Sequence, residues 1–279
     1  MIFWDFDTQW GADRCRGRSS PRVQSWGSKD FNGVERLLAI HSEYNVPACF
    51  AIVGSAALPG SRPYHDPDLI RQIHLNGHEV ASHTHRHDWI PGMTKEELLR
   101  TLRESKEVLE QCIGAPVLSF VPPYNQPWDF PQRLAFSFSE RREVRGSRID
   151  VTGLCSALAE SGYQFCRLLY RNVFAQIAKR LTGRTFPRPE SPQVVAGIVC
   201  LRLNVVGFGA DAHKMLDVCL AKGGCLVTYG HPRGVLGSGD QSEDMVRRFF
   251  ERIAYLRDAG ALSIVQPRDI VRMVATRTV

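Results

Sequence analysis

The chain has 279 residues, 43% hydrophobic and 23% charged, with 35 Lys and Arg against 29 Asp and Glu for a net charge of +6. No apolar run reaches transmembrane length, and the eight cysteines (15, 49, 112, 155, 166, 200, 219 and 225) form no CxxC pair. No transmembrane helix is therefore expected, and the scattered cysteines suggest buried thiols in a reducing compartment rather than a disulfide framework or a thiolate metal site.

The length fits one large α/β domain about as well as two small ones. Helical and strand patterns alternate throughout without a Ser/Gly-rich or Pro-rich linker, so a single domain over residues 1–279 is the expectation, with Pro187–Pro192 a local break. Ile2 to Phe6 reads as a first strand, and Asp5 and Asp7 at i,i+2 face the same side where it ends. Two such carboxylates reach one site and raise each other's pKa unless a cation separates them; Asp at a strand end can equally cap a turn. Phe31 to Tyr44 is apolar at helical spacing and leads into a buried strand over Val46–Gly54, giving a β-α-β unit. Pro67 to His74 is a short helix behind Asp66.

The next strand, centred on Val80 and Ala81, runs into His83-Thr84-His85-Arg86-His87. His83 and His87 share a face if the turn is helical, and all three histidines share a side if it stays extended. Either way two imidazoles converge, and two histidines with one carboxylate suit a metal site with open positions for water and substrate, the alternative being a solvated His-rich loop. Thr94 and Glu97 spell a capping box for a helix to about Cys112. Strand Pro116 to Val121 then meets a stiff loop, Pro122-Pro123-Tyr124-Asn125, able to present Tyr124 and nearby backbone N–H groups to a substrate or simply to make a turn.

Val151 to Glu160 is helical, Tyr163 to Leu169 and Ile198 to Val205 are strands, and helix Ala210 to Ala221 precedes a strand from Cys225 to Tyr229. That strand ends at Gly230-His231-Pro232, where His231 is placed to donate a proton or to make a turn. Helix Ser242 to Asp258, strand Leu262 to Val265 and helix Pro267 to Ala275 complete the chain. With Asp5, Asp7, His83, His87, Tyr124 and His231 all at strand ends, the expectation is α/β, a distorted (β/α)7-8 barrel with its site at the C-terminal face of the strands.

In these residues the chain resembles the polysaccharide deacetylase (NodB-homology, carbohydrate esterase family four) superfamily. Asp5-Phe6-Asp7 resembles its first motif, and His83-Thr84-His85-Arg86-His87 after Gly77-His78-Glu79-Val80 resembles its His-Thr-x-x-His motif. The resemblance implies Asp5 as general base, Asp7, His83 and His87 as ligands of one divalent metal ion, zinc foremost, and His231 as general acid. Pro123, Tyr124 and Asn125 would face substrate and the oxyanion. Two departures stand out. Val121 occupies the place of the third-motif arginine that orients the catalytic Asp, and Arg167 to Asn172 lie where the fourth motif's Asp-Trp element belongs.

The resemblance implies hydrolysis of an N-acyl group, acetyl or formyl, from an amino sugar. Met1–Asp5 enters a strand with no basic leader or cleavage site, so a cytoplasmic location is expected, and with it a nucleotide- or lipid-linked substrate of bacterial surface-glycan assembly. Alternatives are an amidohydrolase of small non-sugar amides and a glycan-binding member without turnover. Basic stretches at Arg14–Arg18, Arg141–Arg145 and Arg167–Arg188 favour an anionic partner or form a solvated surface. Arg171 to Arg184 reads as a basic amphipathic helix suited to anionic membrane or to packing on the barrel, and no nucleic-acid motif accompanies the charge.

Overall fold

The computed structural model describes residues 1–14, 25–127, 149–169 and 188–277. The stretch expected to touch membrane, Arg171 to Arg184, lies outside them, as does the basic run Arg141–Arg145. The described strands form one sheet. Parallel ladders join β1 (Ile2–Phe6) to β2 (Cys49–Ile52), β2 to β3 (Glu79–Ser82), β3 to β4 (Ser119–Phe120) and β4 to β5 (Phe165–Leu169). β5 continues in parallel to β7 (Ile198–Leu203), while β8 (Val205–Val206) pairs with β9 (Thr228–Gly230), which pairs with β1. The parallel ladder runs from β7 round to β8, and these two strands are consecutive stretches of one run, so the sheet curls back on itself as the expected distorted (β/α) barrel.

The run breaks at Asn204. Its side chain donates to the Cys225 carbonyl and accepts from the Val227 N–H, which hands the chain from the β5 side to the β9 side. A short antiparallel strand that the sequence pattern did not announce, β6 (Gln193–Val195), covers the first part of β7 through a turn with positive φ at Ala196 and Gly197. The expected strand at Leu262–Val265 does not form. This segment packs its apolar side chains irregularly against the core before the last helix.

Strand alternation sorts the core into two shells. Trp4, Phe6, Phe50, Ile52, Phe120 and Leu168 point outward to the helices. Phe3, Ala51, Ala81, Val121, Phe165 and Leu201 fill the barrel interior. The helices are α1 (Thr8–Arg14), α2 (Gly27–Tyr44), α3 (Pro67–Leu75), α4 (Lys95–Ile113), α5 (Val151–Glu160), α6 (Ala210–Lys222), α7 (Glu243–Asp258) and α8 (Pro267–Arg277). The capping box of α4 is complete, with Thr94 Oγ1 accepting from Glu97 N–H and the Glu97 carboxylate accepting from Thr94 N–H; such a cap contributes about 1 kcal/mol. Ile270, Val271 and Val274 of α8 join the inner cluster and close the barrel at the N-terminal ends of its strands. The opposite mouth, where β1, β3, β5 and β9 end, carries the polar side chains.

Behind β1 lies a buried pair of histidines. Trp4 Nε1 donates to His41 Nε2 at 2.8 Å, and the other ring nitrogen of His41 is 2.6 Å from the Val46 carbonyl, so His41 is fixed as a neutral tautomer. The ring of His78 packs 4.8 Å away and accepts from the Ala48 N–H. Burial, with His78 alongside, pushes His41 down to about 3, and burial pushes His78 down to about 4. Both are neutral in the folded protein and charged when unfolded at mildly acid pH. Their contribution is therefore complete above pH ~6.5 and is lost as pH falls from there toward the folded values, by about 1.4 kcal/mol per pH unit for each proton the unfolded chain alone takes up. Chemical denaturation between neutral pH and pH ~5 should show this slope, reduced in His78→Asn. A wild-type stability flat over that window would contradict it.

Candidate metal and catalytic site

The mouth of the barrel is assembled from strand ends whose inward positions carry the polar residues. On β1 the inward series Phe3, Asp5, Asp7 turns from apolar to acidic as it leaves the barrel, and on β3 the inward Ala81 is followed by His83 at the strand end. The chain after His83 is neither helical nor extended. It is a tight turn with positive φ at Thr84 and His87, held by Asp88 N–H on Thr84 Oγ1 and by Gly54 N–H on the Thr84 carbonyl. This turn folds His87 back beside His83, with ring centroids 5.1 Å apart. His85 leaves the cluster and lines a separate polar cavity with Arg14, Asp88, Arg100 and Glu104.

Asp7 Oδ1 lies 3.5 Å from His83 Nε2 and 3.4 Å from His87 Nε2, and all three residues are buried. The donor set fits a divalent cation. The other ring nitrogen of His83 is 2.7 Å from the Val121 carbonyl, which places its proton there and leaves the Nε2 lone pair inward. Asp7 Oδ1 is buried and accepts no hydrogen bond. Burial pushes the Asp7 carboxyl up, but the charges of His87 and His231 and the close approach of the His83 and His87 rings outweigh it and hold the group well below the usual carboxylate range. An acceptor kept ionised and unpaired between two imidazoles is what a metal ligand requires.

Asp5, two residues earlier, is compensated differently. Arg167, the central inward residue of β5, meets it as a fork, Nη1 to Oδ1 at 2.8 Å and Nη2 to Oδ2 at 2.7 Å. The guanidinium is fully buried, stacks 4.6 Å over Tyr229 and 5.0 Å over Phe3, and donates from Nη2 to Asn125 Oδ1 at 2.9 Å. Val121 occupies the position where the resemblance leads one to look for such an arginine, and the contact comes instead from a strand 46 residues further on. Strand parity could have revealed it, because a charged residue at the inward position of a buried strand needs an ionised partner inside the barrel.

The structure brings the remaining expected residues to the same mouth. His231 follows β9, with its Nε2 3.5 Å from Asp7 Oδ2 and its N–H bonded to Gln241 Oε1. Tyr124 and Asn125 both have positive φ in a turn opened by the buried Pro123, and the Tyr124 ring packs at 4.6 Å on His87 and 5.3 Å on Trp89. Of the seven non-glycine residues with positive φ among those described, five (Thr8, Thr84, His87, Tyr124 and Asn125) border this site. Such backbone strain persists only where surrounding contacts impose it. Two residues that the sequence reading did not single out complete the cluster. Arg233 donates to Asp7 Oδ2, and the buried Asp30 of α2 accepts from Arg233. Burial pushes the Asp30 carboxyl up to about 7 against the pull of Arg233.

The polysaccharide deacetylase family model matches residues 28–132. Over that stretch, less than half of its length, the chain is similar to the polysaccharide deacetylases. It is 30% identical over 108 residues to chitin deacetylase 1 of Cryptococcus neoformans, covering 37% of this chain and 22% of that protein. To a chitooligosaccharide deacetylase of Rhizobium leguminosarum it is 32% identical over 74 residues, covering 26% of this chain and 32% of the relative. The chain thus matches less than a third of the length of either. Among solved structures, a Mycobacterium smegmatis protein classed as a polysaccharide deacetylase superposes with a TM-score of 0.64 at 18% identity, covering 100% of this chain and 90% of the other. The Puue allantoinase gives 0.57 at 16% identity, covering 97% and 88%. At these identities the structural likeness establishes the fold. The family match contains His83, His87 and the Pro122–Asn125 loop, whereas Asp5, Asp7, Arg167, His231 and Arg233 lie outside it and are brought in by the barrel.

Arg167→Met leaves the buried Asp5 without its counter-charge and should cost on the order of 3–5 kcal/mol in a denaturant melt, the usual penalty for breaking a buried ion pair by removing one partner. Arg167→Lys keeps the charge without the planar fork and should fall between. A fully stable Arg167→Met would show that the pair does not hold the site.

Proposed function

We propose that the protein is a metal-dependent N-deacylase of amino sugars. The observation that carries this reading is the separate compensation of two neighbouring carboxylates, Asp5 by Arg167 and Asp7 by a histidine-lined cation site, with His231 across the same mouth. A divalent ion, zinc by the imidazole and carboxylate donors, would be held by Asp7, His83 and His87 and would supply Lewis acidity to water and to the acyl carbonyl. Asp5, paired with and aimed by Arg167, accepts the proton of the attacking water through lone pairs the fork leaves free. His231 delivers a proton to the departing amine nitrogen, which is a poor leaving group until protonated. Pro123, Tyr124 and Asn125 form the wall against which the acyl carbonyl lies, with the Tyr124 and Trp89 rings a stacking surface for the sugar.

The names of the two curated relatives, deacetylases of chitin and of chitooligosaccharide, support an N-acetylated amino sugar as substrate, with N-formyl sugars the second acyl class. Our reading places the reaction in the cytoplasm on a nucleotide- or lipid-linked intermediate of bacterial surface-glycan assembly. The buried thiols of Cys49 and Cys166 in the core are in keeping with a reducing location. The glycan-binding alternative drew on the arginine missing at Val121; Arg167 makes that contact, which favours turnover.

Amine release from N-acetyl and N-formyl hexosamines, free and nucleotide-linked, against simple amides is the test. Wild type should release amine from an acylated sugar, and Asp5→Asn should lose at least two orders of magnitude in kcat. Release from simple amides alone would replace the sugar reading, and undiminished activity in Asp5→Asn would remove Asp5 as base.

A further inference from the structure

We propose that Asp30 and Arg233 are positioning residues that hold Asp7 as a one-oxygen metal ligand and keep its second oxygen away from His231. The inference rests on the metal-site reading above. Asp7 offers two oxygens in different surroundings. Oδ1 faces His83 and His87 with no donor, whereas Oδ2 receives both Nη1 and Nη2 of Arg233 at 3.1 Å and lies 3.5 Å from His231 Nε2. Arg233 and His231 thus compete for one oxygen, and the arginine holds it. A histidine bonded to Asp7 would be drawn out of position for proton delivery, and a carboxylate free at both oxygens could swing between one-oxygen and two-oxygen ligation.

Arg233 is itself fixed from several sides. Nη1 reaches both oxygens of Asp30, at 3.1 and 3.0 Å, the Arg233 N–H donates to Asp30 Oδ1 at 3.1 Å, and the guanidinium stacks 4.5 Å over Trp26. Asp30 is completely buried, and it also accepts from the Thr8 N–H at 3.0 Å. Thr8 follows Asp7 and has a φ of 56°, costly for a β-branched residue. Asp30 therefore reaches Asp7 by two routes, through the guanidinium on the side chain and through the turn on the backbone.

The charges explain why Asp30 accompanies the arginine. A cation on the far oxygen of a ligating carboxylate would repel a divalent ion, and Asp30 cancels that charge while leaving the hydrogen bonds of Arg233 intact. The chain makes room for the pair. A Cβ on Gly33 would lie 2.1 Å from the Pro232 carbonyl oxygen, so only glycine lets α2 pack against the Pro232–Leu236 turn closely enough for Arg233 to reach Asp30.

The experiment uses Co²⁺ as the probe at mildly alkaline pH, with affinity from chelator competition, geometry from the visible absorption of the bound ion, and folding checked by melting of the metal-free proteins. Asp30→Asn removes the compensating charge, and Arg233→Lys keeps charge but cannot span both carboxylates. Each should weaken Co²⁺ binding 10–100-fold, the usual effect of losing an outer partner of a metal ligand, and each should change the absorption bands. Wild-type affinity and spectrum in both variants would overturn the proposal. So would a loss in Asp30→Asn alone with Arg233→Lys indistinguishable from wild type. If Asp30→Asn does not fold, Arg233→Lys decides by itself, because it leaves Asp30 its counter-charge. A folded wild type that binds no Co²⁺ would overturn the metal site and this inference with it, a result distinct from equal binding by all three proteins.

Discussion

Two carboxylates two residues apart cannot both remain ionised inside a closed barrel unless each has its own positive partner. Asp5 and Asp7 meet that constraint in different ways, and the organisation of the mouth follows from the difference. Asp5 is paired for good, by a guanidinium buried with it and sandwiched by Phe3 and Tyr229. Asp7 is paired on one oxygen only, and the other is left among imidazoles as an acceptor waiting for a cation. In the proposed reaction one carboxylate serves as the base and the other as the ligand. Repulsion between like charges, which would otherwise push one of them to the neutral form, is removed by chemistry rather than by distance.

The scaffold that delivers these partners is built from short pieces under close steric control. Arg167, Asp7 and His231 come from β5 and from the ends of β1 and β9, so their mutual distances are set by sheet register. The outer pieces are set by contacts that admit no side chain. Gly11 lies against the Asp7 side chain and Gly33 against the Pro232 carbonyl, and a Cβ at either would meet an atom at 2.5 and 2.1 Å respectively. Left-handed backbone at Thr8, Thr84 and His87 aims the ligands, and bonds to those segments from Asp30, Gly54 and Ser55 hold the strain in place.

Much of this was legible in the sequence, for physical reasons that also explain what was not. Asp5 and Asp7, and His83 and His87, are near neighbours in the chain, so local periodicity brings each pair together, and the alternation of strands and helices implies a barrel that gathers both. The conformation between His83 and His87 was not legible. Both the helical and the extended alternatives converge the rings, and the turn that forms depends on the carbonyls of Thr84 and His85 meeting the Gly54 and Ser55 N–H groups. Arg167, Asp30 and Arg233 escaped because each meets its partner from far along the chain and belongs to an ordinary element, a strand, a helix start and a turn. In sequence Arg167 looked like part of a basic surface. The Leu262–Val265 segment has strand composition, yet its side chains pack on the core without joining the sheet, an outcome decided by tertiary contacts and invisible locally.

The proposed chemistry depends on the ion that Asp7, His83 and His87 would hold. The most direct measurement is the metal content of the purified protein by elemental mass spectrometry, for wild type beside His87→Ala. The account predicts about one zinc or similar divalent ion per wild-type chain, and its loss from the variant with the fold retained. Folded wild-type protein that holds no metal even after reconstitution would contradict it.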